Sequence, residues 1–372
     1  MRNGHTIRYV TSQWWRSLMR WTTILPVIAA GALAFSWGRH PAAWILIIEG
    51  LLLVASVLAA VQHAEVIAHR VGEPFGSLIL AVAVTVIEVA LIVTLMVSGS
   101  GDTSTLARDT VFAAVMLTMN GIVGVSLLVA ATKYKLAVFN PEGTGSALGS
   151  VVALAVLTMV FPRFTTSESG PRFASEQLVF VALSSLVVYG LFVFTQTVKH
   201  RDFFLPHGTE EEANEHDHIP SKRATAASFV LLLISLTAVV GLTKIESPAI
   251  EMGVKAMGFP GSFVGVIIAI MVLLPESIAA VKSAVDDRVQ ISMNLGFGSA
   301  MASIGLTIPT LAIVSHWMPM PLTLGLEPLQ IVLLAVSAMV AVLTVVPGRA
   351  KTLHAALHLV LLAAFIFLAA VP

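Results

Sequence analysis

Eleven apolar runs, most of them about 20 residues or longer, follow one another through this 372-residue chain. They lie at about 22–38, 42–64, 74–97, 106–132, 146–162, 176–198, 223–243, 261–284, 289–315, 327–347 and 350–371. Lipid offers no partner to an unpaired backbone N–H or C=O, so runs of this length predict helices that cross a bilayer. Composition agrees. Apolar residues make up 57% of the chain and charged residues 11%, against about 25% charged in a soluble domain. Such a chain cannot cover a globule with polar groups. The expected fold class is an all-α integral membrane protein of about eleven transmembrane helices.

The composition also excludes several functions. Lys plus Arg equals Asp plus Glu at 21 each, so no basic excess points to nucleic acid. The absence of cysteine removes disulfides, thiolate metal sites and iron–sulfur clusters. The first run, with its basic leader and small residues Ala32 and Ala34, has features of a signal peptide. Its long polar lead-in favours a retained anchor. With the N-terminus inside, fifteen of the 21 Lys and Arg fall in inner segments and six (Arg39, Arg108, Arg163, Arg172, Lys244 and Lys255) fall outside. This asymmetry orients the chain with a cytoplasmic N-terminus and an outside C-terminus.

The longest polar stretch divides the chain. The expected organisation is an N-terminal segment and accessory helix (1–41), five helices (42–198), a polar loop (199–222) and five more helices (223–372). GEPFGSLI (72–79) in the first half resembles GFPGSFVG (258–265) in the second, and a proline suits a helix start in each. Fourteen residues after Pro74 comes Glu88; sixteen after Pro260 comes Glu276. Five spans is an odd number, so the two copies enter the membrane in opposite directions. This is the inverted-repeat plan of secondary transporters, with an ion site near the midplane.

Glu88, in AVAVTVIEVALIV, and Glu276, in VLLPESIAAV, are surrounded by apolar neighbours. Each lies roughly 21–24 Å along its helix. An ionised carboxylate at that depth costs about 2.5–3.5 kcal/mol on insertion scales. A cation held by both would offset the cost, and so would a proton on each, because desolvation favours the neutral acid. Competition between the two loads is the chemistry of exchange. Thr85, one turn before Glu88, Asn120 on the following helix, and Ser299 and Ser303 after Glu276 are candidate oxygen ligands. Small polar residues also serve helix packing.

At these residues the sequence resembles the calcium/cation antiporter superfamily, in its proton-coupled CAX branch and the bacterial ChaA type. EVIAHRVG (65–72) matches the approach to the family's first glutamate helix, and PESIAAV (275–281) with Gly298–Ser299 resembles its second repeat motif. The likeness implies eleven helices, an acidic loop after the sixth, a bacterial inner membrane, and paired glutamates alternately holding cation and proton. The family's Gly-Asn before each glutamate is replaced by Val84–Thr85 and Leu273–Leu274. Ca²⁺ prefers six to eight oxygens, so fewer carbonyls leave Na⁺ or K⁺ open beside it.

The expected function is therefore export of Ca²⁺, and also of Na⁺ or K⁺, in exchange for H⁺. Inorganic cations, protons and the bilayer are its partners, and no cofactor is expected. A monovalent-selective or Na⁺-coupled exchanger of the same fold is the nearer alternative. A cation channel is more remote, as is an intramembrane enzyme, for which HExxH and Gly-x-Ser-x-Gly are missing. Glu49 and Glu65 are read as a proton relay or vestibule, with His63 and Glu65 near the headgroup boundary. The loop residues Glu210, Glu211, Glu212, Glu215, His216, Asp217 and His218 are read as a cation-collecting or solvated linker. His354 and His358 share a helix face, where packing is the favoured reading.

Overall fold

The computed structural model describes residues 11–39, 41–72, 75–99, 103–205, 220–317 and 322–372. These form eleven helices in chain order. The first three are α1 (Thr11–Ser36), α2 (Ala43–Val71) and α3 (Phe75–Ser98). Next come α4 (Leu106–Tyr134), α5 (Pro141–Arg163) and α6 (Ser175–Lys199). They are followed by α7 (Lys222–Ala256), α8 (Phe263–Val285), α9 (Val289–Trp317), α10 (Pro328–Val345) and α11 (Thr352–Ala370). All but α1 are long and apolar enough to cross a membrane, and α1 adds the shorter apolar stretch Trp21–Ser36. The protein is a multi-pass membrane protein. Two short strands, β1 (Ala137–Val138) and β2 (Arg349–Ala350), pair antiparallel and join the chain after α4 to the chain before α11.

Helix ends follow local chemistry. Asn140 caps α5, its side chain accepting from the N–H groups of Glu142 (2.9 Å) and Gly143 (3.2 Å), with Pro141 at the first position. The helix thus begins five residues before the expected 146, because PEGTGS looks like a loop but carries a helix-start signal. The seventh helix differs more. The reading from sequence ended it at 243, where Lys244, Glu246, Ser247 and Pro248 resemble a loop. Instead α7 runs through Pro248 to Ala256, and Glu246 and Ser247 are buried. Polar residues that look like an exit from the membrane are here directed into the protein.

Packing separates into two apolar cores. One joins α1, α2, α3 and α7, with Leu106 and Ala107 at the start of α4 and Leu311 near the end of α9; the other joins α4, α5, α6, α9, α10 and α11. Helix α8 serves both, giving Val264, Ile268 and Val272 to the first and Val266, Ala269 and Leu273 to the second. Gly265 allows α8 to reach the backbone of α4: a β-carbon there would lie 2.8 Å from the Asp109 carbonyl carbon. Outward faces stay apolar, as at Leu51, Phe180 and Leu343, and Trp37 and Trp44 are exposed beside the α1–α2 turn. His63 is buried between helices, its ring nitrogen 3.1 Å from the Thr22 carbonyl of α1. A buried ion pair, Arg108–Asp109 at 2.8 Å, extends to Glu327 and so ties α4 to the start of α10.

Gly72 and Gly76 stand at the end of α2 and the start of α3. Gly72 adopts φ +77°, which a residue with a β-carbon resists. A β-carbon on Gly76 would sit 2.6 Å from the backbone oxygen of Ala68. Gly76→Ala must therefore displace main chain, at a cost of about 1–3 kcal/mol. Gly149→Ala meets nothing within 4 Å. Melting of the detergent-solubilised variants will show a lower Tm for the first and an unchanged or higher Tm for the second.

Candidate functional site

Glu88 lies within α3 and is 2% exposed. Its Oε2 accepts hydrogen bonds from the Ser303 hydroxyl at 3.1 Å and the Thr307 hydroxyl at 2.8 Å. Both donors come from one π-helical segment of α9, Ser303–Thr307. Such wide turns interrupt a regular helix and occur often at functional positions. Donors four residues apart share a helix face and reach one oxygen. Thr307 was not among the residues chosen from sequence, although its spacing from Ser303 was a usable signal. Thr85 is buried one turn from Glu88, and its hydroxyl donates to the Ala81 carbonyl at 2.8 Å, leaving its lone pairs on the face of Glu88.

Glu276 follows Pro275 on α8. Its Oε2 is buried and has no hydrogen-bond partner. Pro275 has no N–H, so the Met271 carbonyl loses its helical donor one turn earlier. Glu276 lies within electrostatic reach of both Glu65 and Glu88. Glu65, on α2, is half-buried and accepts from the Gln62 amide at 3.0 Å. Carboxylates from α2, α3 and α8 thus face one neighbourhood, and Ser303 and Thr307 approach it from α9. Among the described residues no Lys or Arg forms a salt bridge to any of the three. An unpaired buried charge costs several kcal/mol.

The site also straddles the two cores. Glu88 stands on a helix of the first, and its hydroxyl donors stand on a helix of the second.

Other residues chosen from sequence lie elsewhere. Asn120 spends its amide on Ser337 (2.9 Å), and its carbonyl oxygen meets His358 Nδ1 at 3.2 Å, inside a buried α4–α10–α11 network that includes Thr344. Ser299 is half-buried and is not bonded to Glu88; Ser303, one turn on, is. Glu49 belongs to a separate cluster with Ser36 and Glu246. His354 accepts the Lys351 N–H at the start of α11. Glu210, Glu211, Glu212, Glu215, His216, Asp217 and His218 lie outside the described residues.

Comparison with known proteins bears on this geometry. The family described as sodium/calcium exchanger protein matches residues 41–198 and 227–371. The putative ionic transporter y4hA of Sinorhizobium fredii is 41% identical over 95% of this chain and 96% of its own. The sodium-potassium/proton antiporter ChaA of Escherichia coli is 33% identical over 92% of this chain and 94% of its own. The structure of native YfkE superposes with a TM-score of 0.71 at 16% identity, over 94% of this chain and all of that one, a likeness of fold. These relatives are ion carriers and not enzymes. A family match over nearly the whole chain, with relatives 41% and 33% identical, places the chain in the sodium/calcium exchanger protein family, within the ChaA-type branch of the calcium/cation antiporter superfamily.

Proposed function

We propose that this chain exchanges alkali cations, with Ca²⁺ as a second cargo, for protons across a bacterial inner membrane by alternating access. The observation that carries the reading is the uncompensated pair: Glu88 and Glu276 are within electrostatic reach, and no basic side chain is bonded to either among the described residues. With both carboxylates ionised the pair takes a cation; with both protonated it is neutral and takes none. The hydroxyls of Ser303 and Thr307 suit both states. They donate to the Glu88 carboxylate and can rotate to offer lone pairs to a cation. Because these hydrogen bonds join helices of different cores, changing the load on Glu88 changes what holds the cores together. That is the coupling alternating access requires.

The preference for an alkali cation rests on likeness to a relative, and the donor set is compatible with it. Asn120 is engaged with Ser337 and His358. The set reduces to two carboxylates, Thr85, Ser303, Thr307 and the freed Met271 carbonyl. Counted by oxygens the set offers up to eight, within the six to eight that Ca²⁺ takes, so oxygen number leaves both cargoes open. ChaA of E. coli, described as a sodium-potassium/proton antiporter, fits the same preference. The two carboxylate charges favour a divalent ion and keep Ca²⁺ as the second reading.

We further propose that the five-helix halves are inverted copies with the N-terminus cytoplasmic and the C-terminus outside. Gly72 and Gly258 hold nearly equal positive φ angles, +77° and +76°, ahead of the two glutamate helices. The third helix of each half carries a π-helical segment, Leu117–Ile122 in α4 and Ser303–Thr307 in α9. Glu65 serves as the vestibule carboxylate from which cargo passes to Glu276.

Inside-out vesicles with an imposed pH gradient test the reading. Na⁺ or K⁺ will collapse the gradient, Ca²⁺ less efficiently, and E88Q or E276Q will each abolish the effect while the protein still inserts and purifies. Normal exchange in either variant removes the site assignment. Thr307→Val deletes one hydroxyl at nearly constant shape, and the half-saturating cation concentration should rise about tenfold. Protons and cation compete for the same oxygens, so that concentration must also rise as the pH on the loading side falls. A value independent of pH would mean that the two cargoes do not share a site.

A further inference from the structure

Away from the transport pair, a second set of buried acidic oxygens lies where α1, α2 and α7 pack together. Glu49 of α2 is 1% exposed and Glu246 of α7 is 5% exposed. The Ser36 hydroxyl at the end of α1 donates to Glu49 Oε1. The other Glu49 oxygen, Oε2, is buried without a partner, and so is Glu246 Oε1. Ser247, next in the chain and fully buried, also has an unpartnered hydroxyl. The carboxyl of Glu246 lies against α2 beside Glu49: a β-carbon on Gly50 would stand 3.9 Å from its Oε2. The two side chains act on each other as like charges.

The basic side chains described nearby are turned to aromatic rings instead. Arg39, just beyond α1, lies over the Phe35 ring at 4.7 Å, and Lys244 lies over the Trp37 ring at 5.2 Å. Five residues on from Glu246, α7 carries Glu251. The other helices packed here, α3 and α8, carry Glu88, Glu276 and Lys282 as their charged side chains. Among the described residues no salt bridge reaches Glu49 or Glu246. Two ionised carboxylates on adjoining helices inside an apolar seam repel each other and have each lost their water. A metal ion is a poor solution, because among the described residues no group of three or more acidic or His side chains is placed to hold one. One proton is sufficient. It turns one orphan acceptor into a donor, and the resulting hydrogen bond satisfies both orphan oxygens together.

We propose that Glu49 and Glu246 form a second acid pair holding a single proton, with Glu246 donating it to Glu49, which already accepts from Ser36. The proton comes from bulk water, and the pair keeps a net charge of minus one. It fastens α7 to α2, and through Ser36 to the accessory helix α1. Removing it leaves two like charges in the seam between helices of one core. The device is therefore alkali-sensitive, and it is separate from the pair that carries cargo.

The test uses the full chain in detergent, melted across a range of pH. As pH rises into the alkaline range the parent's Tm will fall. E246Q, whose amide donates permanently to Glu49, will hold its Tm at least about 2 °C above the parent there. E88Q/E276Q will retain the parent's fall, so failure of this proposal and failure of the transport site are told apart. Infrared spectra at neutral pH give a second readout: the carbonyl stretch of a protonated carboxyl is present in E88Q/E276Q and lost when E246Q is added. If E246Q does not fold, E49Q is read the same way. The proposal is overturned if E246Q follows the parent's pH dependence, or if that band survives. It is also overturned if Na⁺, K⁺ or Ca²⁺ raises the alkaline Tm of E88Q/E276Q but not of E246Q, which would mark a cation site.

Discussion

The structure turns on the cost of a carboxylate out of water. Glu88 is almost wholly enclosed by apolar helices, and among the described residues its carboxylate accepts hydrogen bonds from two hydroxyls of α9. Hydrogen bonds from neutral donors reduce the desolvation cost of an anion without cancelling it. The residual demand for a positive charge sets the rest of the arrangement. A second glutamate is brought near, basic side chains are kept off both, and a helix is interrupted so that its hydroxyls can reach.

That demand is placed at a mechanical boundary. The two apolar cores are each closely packed, and packed cores move as units more readily than they deform. Helix α8 contributes to both and carries Glu276, whereas Glu88 and its donors are divided between them. The Glu88 carboxylate and the hydroxyls that donate to it thus meet where the two cores adjoin. The Arg108–Asp109–Glu327 cluster holds α4 to the start of α10 within this frame. A buried ion pair adds little net stability, but breaking it leaves an uncompensated charge. It makes one relative position of its helices hard to abandon.

Much of the site was legible because charge is rare in the apolar runs. Glu88 and Glu276 stand out against their neighbours, and Ser303 stood out beside Glu276's following helix. Thr307 did not, because threonines are common in membrane helices and nothing in the chain marks a π-helical segment. Asn120 had the right chemistry and depth, yet its amide is turned toward Ser337 and His358, a direction set by rotation of α4 against α10 and α11. Glu246 was misread for a different reason. Lys-Ile-Glu-Ser-Pro has the composition of a loop, and only contact with α2 shows that the helix continues and faces inward.

What the amino-acid order determines alone is the membrane class, the eleven helices, and the two acidic residues that cannot stay in oil unaccompanied. These follow from transfer free energies, which are properties of residues and run lengths. Which oxygens meet which carboxylate, that the site divides between two cores, and that a second acid pair exists at all were decided by tertiary packing. Those outcomes depend on how each helix is rotated about its axis, and a turn of one residue, about 100°, exchanges a buried face for an exposed one.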